Sequence, residues 1–244
     1  MTLGWQDIRQ SYRRSALGQL WITIGMGVTI ACIGIVFGLI FGTPMDVFLP
    51  YLASGIIMWG LLSGVLNDGV LAFIAAERMI KQIPLPKIAH LIRVAWRNLL
   101  ITAHNIVIFP LVLLVVGSNS GPAILLAPFG VALALVAVSG LALILAVFAA
   151  RFRDIPPIVN SAVTVSFYAT PVIWMAESLG DSQLAHLVLG LNPFYHLLQI
   201  CRLPLLGQWP TIENWGLSAL GAGVFWAVGL AVYKKFEHRI AYWV

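Results

Sequence analysis

Apolar residues in this chain neither alternate nor keep the spacing of a surface helix over most of its length; they run together. Six such stretches stand out: Leu20–Phe41, Tyr51–Phe73, Asn98–Val116, Ala123–Ala150, Pro157–Met175 and Trp215–Tyr233. Each is close to the ~20 residues that carry an α-helix across the hydrocarbon of a bilayer. The pattern predicts an all-α membrane protein of six transmembrane helices, forming a single domain over residues 1–244. It does not fit a membrane β-barrel, whose strands alternate apolar and polar positions. Arg9, Arg13 and Arg14 precede the first stretch as they would in a signal peptide. That stretch is too long for one and no small-x-small cleavage site follows it, so it reads as a retained membrane helix.

Two regions break the pattern. Across Leu3–Ala16, Trp5, Ile8, Tyr12 and Ala16 fall near one helical face, with Gln6, Arg9, Gln10 and Arg13 largely elsewhere. This predicts an amphipathic helix over residues 1–18, lying on the membrane surface. Leu184–Leu206 is apolar but interrupted by Gly190, Asn192, Pro193 and Pro204. Its pieces are too short to span, which suits either a re-entrant helical hairpin on the external side or a folded external loop.

Composition sharpens the class. Of 244 residues, 60% are hydrophobic and only 9% charged, against about a quarter charged in soluble domains. Too few polar side chains exist to cover a soluble globule of this size. The formal charge of +5 reads as topology rather than affinity for nucleic acid. Arg9, Arg13 and Arg14 lie before the first stretch, and Arg78, Lys81, Lys87, Arg93 and Arg97 in the second loop, between the second and third. Arg151 and Arg153 follow the fourth, and Lys234, Lys235 and Arg239 follow the last. Only Arg202 falls on the other side. Basic residues collect in cytoplasmic loops, so both termini and the second and fourth loops are expected inside.

Chemical motifs are sparse. No phosphate-cradling G-x-x-x-x-G-K-[ST] loop occurs, and Gly25-Met26-Gly27 lies in an apolar stretch without a third glycine. The five histidines are scattered without ligand spacing, Cys32 and Cys201 form no motif, and no G-x-S-x-G elbow is present. No catalytic residue, metal or cofactor is expected in this chain. Asp68, beside Asn67, is the one carboxylate deep inside a stretch; it either faces a polar pathway or bonds a neighbouring helix. The second loop places Met79, Ile80 and Ile83 on an apolar side, with Glu77, Arg78, Lys81 and Lys87 around it, before Pro84 and Pro86 stop the helix. That suits docking into a partner's groove, or an ordinary basic turn. In Arg151-Phe152-Arg153-Asp154, Asp154 is placed to cap the next helix, which starts with prolines. Gly34, Gly38 and Gly42 form a small-residue stripe that permits close helix contact, within the bundle or with a second copy. Most tryptophans and tyrosines fall near interfaces, whereas Trp59, Phe167 and Tyr168 lie deeper or near the external mouth and offer aromatic faces to a sugar ring.

Taken in order, these segments resemble the permease subunit of ABC-2 type polysaccharide exporters, the Wzm and TarG group that exports O-antigen or teichoic acid. The resemblance runs through Asp7-Ile8-Arg9 and Tyr12–Gly18 with Trp21, Tyr51–Trp59, Ile80–Pro86, Arg151–Ile155, Tyr168–Trp174 and Leu191-Asn192-Pro193-Phe194. Gln82 and Leu85 depart from the lysine and phenylalanine usual there. The resemblance implies a second copy of the chain paired with two ATP-binding cassette subunits, which bind ATP and magnesium and hydrolyse the nucleotide. It makes Glu77, Arg78, Met79, Ile80, Lys81 and Ile83, within residues 76–90, the segment coupled to that ATPase, flanked by the surface helix. Residues 184–206 become re-entrant helices above a channel, which the first and fifth spans face. Trp59, Asp68, Phe167 and Tyr168 are the expected channel residues for a lipid-linked polysaccharide crossing the bacterial inner membrane. The rival expectations are an ABC-2 permease for a drug or small lipid, a membrane-embedded glycosyl or acyl transferase, and an ion-coupled carrier. Asp154, Glu177 and Asp181 make no persuasive acid–base set for the transferase.

Overall fold

The computed structural model describes residues 20–82, 85–179 and 188–244. The expected surface helix over residues 1–18, Ile83 and the first part of the expected external hairpin lie outside the described residues. Every regular element among the described residues is a helix: α1 Leu20–Phe41, α2 Met45–Val70, α3 Ala72–Ala75, α4 Glu77–Gln82, α5 Ile88–Asn105 and α6 Ile108–Val116. A 3-10 turn at Pro122–Leu126 leads into α7 Ala127–Arg151, then α8 Ile155–Ala169, a second 3-10 turn at Ala176–Leu179, α9 Pro193–Leu205 and α10 Ile212–Trp243. Among the described residues, five segments are long and apolar enough to cross a membrane: α1, α2, α5 with α6, the Pro122 turn with α7, and α10.

The bundle is built around α2 and α7. Two-thirds of the most apolar part of α2 is buried, against 17% for α1 and for α10. A membrane bundle has little hydrophobic driving force between helices, so small residues that let backbones approach count for more. α7 meets α10 in this way: a side chain on Gly140 would strike Trp226, and one on Gly229 would strike the Gly140 carbonyl. Trp226 Nε1 donates to the Val136 carbonyl at 2.8 Å across the same seam. Gly34 and Gly38 seat α1 against Leu49 and Met45 of α2, so these two members of the stripe serve the bundle.

Several element ends differ from the sequence expectation, each for a local reason. α2 starts at Met45, not Tyr51, with Pro50 inside it. The third span starts at Ile88, not Asn98, because its first turns carry His90, Arg93 and Arg97 and escape a search for apolar runs. Pro110 has no N–H for the Ile106 carbonyl, which instead accepts from Phe109 at 3.0 Å, and the helix is interrupted between α5 and α6. Asp154 occupies the cap position of α8, but its side chain makes no capping bond; the first turn rests on prolines instead.

The largest correction concerns the fifth expected span. Its helix stops at Ala169, six residues before Met175. Pro171 disfavours helical geometry at Thr170, which is extended (φ −100°, ψ 138°). Residues 170–175 continue as irregular backbone, with Thr170 and Val172 fully buried.

The basic segments converge at one end of the bundle. Lys87 Nζ donates to the Glu237 carbonyl at 2.7 Å, tying the second loop to the C-terminal tail. The Arg151 guanidinium lies 5.3 Å from the Trp243 ring centre, tying in the fourth loop. At the other end, Ser120 Oγ donates to the Leu205 carbonyl at 2.6 Å.

Candidate functional site

Two regions gather the residues singled out from the sequence. The first lies at the basic end. The described part of α4, Glu77–Gln82, is braced by Lys81 donating to Glu77 at 2.7 Å with i, i+4 spacing. Its two faces differ. Arg78, Lys81 and Gln82 are exposed, while Ile80 packs against the bundle core and Met79 Sδ accepts from Arg93 at 3.8 Å. The apolar side therefore seats the turn on its own bundle, and a charged arc is left outward. Lys81, first by its hydrogen bond and then by its charge, holds Glu77 below the usual carboxylate range, with Arg153 and Arg78 adding to this. The group is ionised at neutral pH. Because its pKa is lower folded than unfolded, the pairing contributes at ordinary pH and is lost as pH falls through the folded value. The protection factors of the amides over residues 77–82, with the intrinsic pH dependence of exchange divided out, are expected to fall in that acidic window and to stay flat between pH 6 and 8; an inflection near neutrality contradicts this.

Asp68 sits at the end of α2 nearest α4. It accepts from Arg97 at 2.6 Å and from Asn98 Nδ2 at 2.9 Å. Of the two roles open to it, bonding a neighbouring helix is the one with partners in place. The ions are about a third exposed, so solvent weakens the pair. Asp68→Ala is expected to lower stability by about 1–2 kcal/mol, chiefly by stranding Arg97. A thermal midpoint equal to wild type contradicts this.

The second region lies nine residues back along α2, about 13 Å away. Trp59 of α2, only 8% exposed, stands 5.7 Å from Phe167 of α8 and 5.7 Å from Phe194 of α9, ring centre to ring centre. Phe167 in turn meets Tyr168 edge-on at 5.3 Å. Tyr168 is 68% exposed. The structure thus joins Trp59, Phe167 and Tyr168 as one aromatic run from core to surface, and leaves Asp68 apart from it. Phe194 was missed as a member. Its place follows from Asn192, whose side chain accepts from the Phe194 and Tyr195 amides at 3.0 and 3.4 Å and starts α9.

The irregular backbone after α8 holds this run in position. Tyr51 Oη donates to the Pro171 and Trp174 carbonyls at 3.1 and 3.0 Å. Arg202 of α9 donates to the Pro171 and Val172 carbonyls at 2.7 and 3.2 Å, with its guanidinium carbon 4.0 Å from the Tyr51 ring centre. Arg202 is completely buried. Gly55 leaves the space it occupies: a side chain there would meet both Arg202 and the Val172 carbonyl. Sequence reasoning counted Arg202 only as the one basic residue on the far side. Its position within an apolar stretch was the available signal. No cluster of His, Cys, Asp or Glu able to hold a metal occurs among the described residues.

Long apolar helices in one bundle, with polar groups paired inside it, define a multi-pass helical membrane protein. The chain belongs to the ABC-2 type transporter family, whose profile matches residues 1–206; members are membrane subunits of transporters. Among curated proteins it is similar to the O-antigen export system permease protein RfbA of Myxococcus xanthus, at 25% identity over 197 residues, covering 79% of this chain and 74% of that protein. It is also similar to the RfbA permease of Klebsiella pneumoniae, at 21% identity over 243 residues, covering 97% and 91%.

Proposed function

We propose that this chain is the permease subunit of an ATP-driven exporter that passes a lipid-linked, O-antigen-like polysaccharide outward across the bacterial inner membrane. Two copies form the conduit and two separate ATP-binding subunits drive it from the cytoplasm. Both termini and the basic end face that side. The sixth crossing is completed by α8 and the irregular residues after it: about 22 Å of helix plus an extended segment cover the bilayer core.

The observation that carries the reading is the outward face of α8. Asn160, Ser161, Thr164 and Tyr168 form an exposed polar stripe there, beside an exposed apolar stripe with Ile158 and Val165, on a helix that packs against α2 and α7 on its other side. A row of amide and hydroxyl groups is a poor lipid-facing surface and suits a watered path. Ser161 and Thr164 donate to carbonyls one turn back, at 3.0 and 2.9 Å, leaving their acceptor sites for sugar hydroxyls. The names of the relatives, both O-antigen export permeases, support the same cargo class. Such contacts are weak and repeated, which a moving polymer needs. Residues 78–82 are the docking arc for the ATPase, and residues 184–206 the external re-entrant element.

Co-purification with a candidate ATP-binding cassette protein from the same cell, followed by ATPase assay with candidate glycolipids, tests this reading. Stable association and stimulation by a lipid-linked polysaccharide are expected; stimulation only by drugs or short lipids contradicts it. Tyr168→Ala removes a mostly exposed ring and is expected to slow polymer export several-fold, since one stacking contact contributes about 1 kcal/mol, with complex assembly intact. Equal loss of assembly would assign the ring to packing.

A further inference from the structure

Where α7 and α10 end, at the basic end of the bundle, lies a cavity of about 270 Å³. Its wall includes two arginines and four aromatic rings: Arg151, Arg239, Phe148, Phe152, Phe236 and Trp243. Phe236 and Trp243 stand 5.5 Å apart, ring centre to ring centre. The Arg151 guanidinium lies 5.3 Å from the Trp243 ring centre and 5.7 Å from that of Phe152. Stacking uses the flat face of a guanidinium and leaves its N–H edges for an acceptor. Nothing in the chain takes those edges. Arg151 and Arg239 are both exposed, and neither forms a hydrogen bond or an ion pair. Asp154, Glu237 and the Val244 carboxylate are all absent from the lining, and Glu237 accepts from Tyr233 Oη at 2.8 Å instead. The wall therefore carries positive charge with no anion of its own.

We infer that this cavity holds the headgroup phosphate of an anionic phospholipid, bridged between Arg151 and Arg239. Two arginine forks around one gap match the acceptor oxygens of a phosphodiester. Position selects a lipid over a soluble phosphate. Both helices are apolar enough to cross a membrane, and both end at this level, where tryptophan and basic side chains meet headgroups. Phe148, one turn before Arg151, is exposed, and so is Val228, three turns before Arg239 on the same face of α10. They offer apolar surface to the acyl chains. Basic pockets between membrane helices are a recurring form of headgroup recognition. A zwitterionic headgroup brings its own cation and loses much of the attraction. Arg151 ends α7 at the fourth loop and Arg239 lies in the tail, so a bridging headgroup pins the start of α8 to the end of α10. The site depends on the membrane assignment alone and not on which cargo is carried.

The full chain in phosphatidylcholine discs doped with phosphatidylglycerol provides the test, with retained lipid counted by native mass spectrometry. The wild type is expected to retain phosphatidylglycerol in preference to phosphatidylcholine. Arg239→Gln is expected to lower that preference roughly ten-fold, the effect of one charge-assisted hydrogen bond. Its thermal midpoint stays at the wild-type value, because the side chain is exposed and bonds nothing in the chain. Lys234→Gln removes the same charge from α10 about 140° round the helix and is expected to leave the preference unchanged. Arg151→Gln is expected to match Arg239→Gln; should it fail to fold, Arg239→Gln alone decides. Excess soluble glycerol phosphate is expected to leave the lipid in place, and displacement by it assigns the cavity to a soluble phosphate and overturns the proposal. Equal retention of the two lipids by the wild type, or equal losses from Arg239→Gln and Lys234→Gln, also overturns it.

Discussion

Arg202→Met is expected to lower the stability of the folded bundle by about 3 kcal/mol. The size follows from what the guanidinium satisfies. Past Ala169 the backbone is no longer helical, so its carbonyls have no partners of their own in the next turn. In hydrocarbon, irregular backbone survives only where protein groups complete its hydrogen bonds. Arg202 supplies donors to the carbonyls of Pro171 and Val172, and Tyr51 to those of Pro171 and Trp174. Methionine fills much of the volume but donates nothing, leaving the Val172 carbonyl unpaired. For a chain of this size such a loss corresponds to a midpoint lower by roughly 6–12 °C, readable by tryptophan fluorescence or size exclusion after heating in detergent. Tyr51→Phe, which keeps the ring beneath the guanidinium, is expected to cost only about 1 kcal/mol. An Arg202→Met midpoint equal to wild type would mean that the irregular segment is held by something else. Export should fall with either variant, since the same segment fixes Phe167 and Tyr168.

The second large effect is functional and leaves the fold alone. Arg78→Glu and Lys81→Glu reverse charge on the exposed arc of α4, whose apolar side is already spent on its own bundle. Reversing a charge at an interface converts attraction to repulsion and costs several kcal/mol of association. The double variant is expected to abolish ATP-dependent export and co-purification of the ATPase, while the isolated permease keeps its thermal midpoint. Lys81→Glu also places like charges at Glu77 and residue 81, which loosens the turn. Arg78→Glu is therefore the cleaner variant, and unchanged export by it contradicts the docking role.

How far the sequence reached depended on how strong each local signal was. The C-terminal end of α1 was legible to the residue, at Phe41, because Gly42, in the left-handed region (φ 62°), closes the apolar run. The first ten residues of α5 were invisible to the same search, since one face of an amphipathic turn carries His90, Arg93 and Arg97. The end of α8 was overrun because apolar content continues past Pro171 although helix does not. Trp59, Phe167 and Tyr168 were legible as a set, being aromatic and away from the interfaces. Phe194 and Arg202 were not, because their partners come from helices distant in sequence, and no periodicity reports such contacts. The apolar side of α4 was legible as a ridge, but its direction was not: only the fold places Ile80 against the core.

The account rests on a conduit that performs no chemistry and takes its drive from another chain. Reconstitution into liposomes with and without the ATP-binding partner, scored by movement of a labelled lipid-linked polysaccharide across the bilayer, addresses this directly. The account predicts movement only when both chains and hydrolysable ATP are present, with the nucleotide supplied on the face where Arg78 is reactive to labelling. Movement or ATP hydrolysis by this chain alone would contradict it.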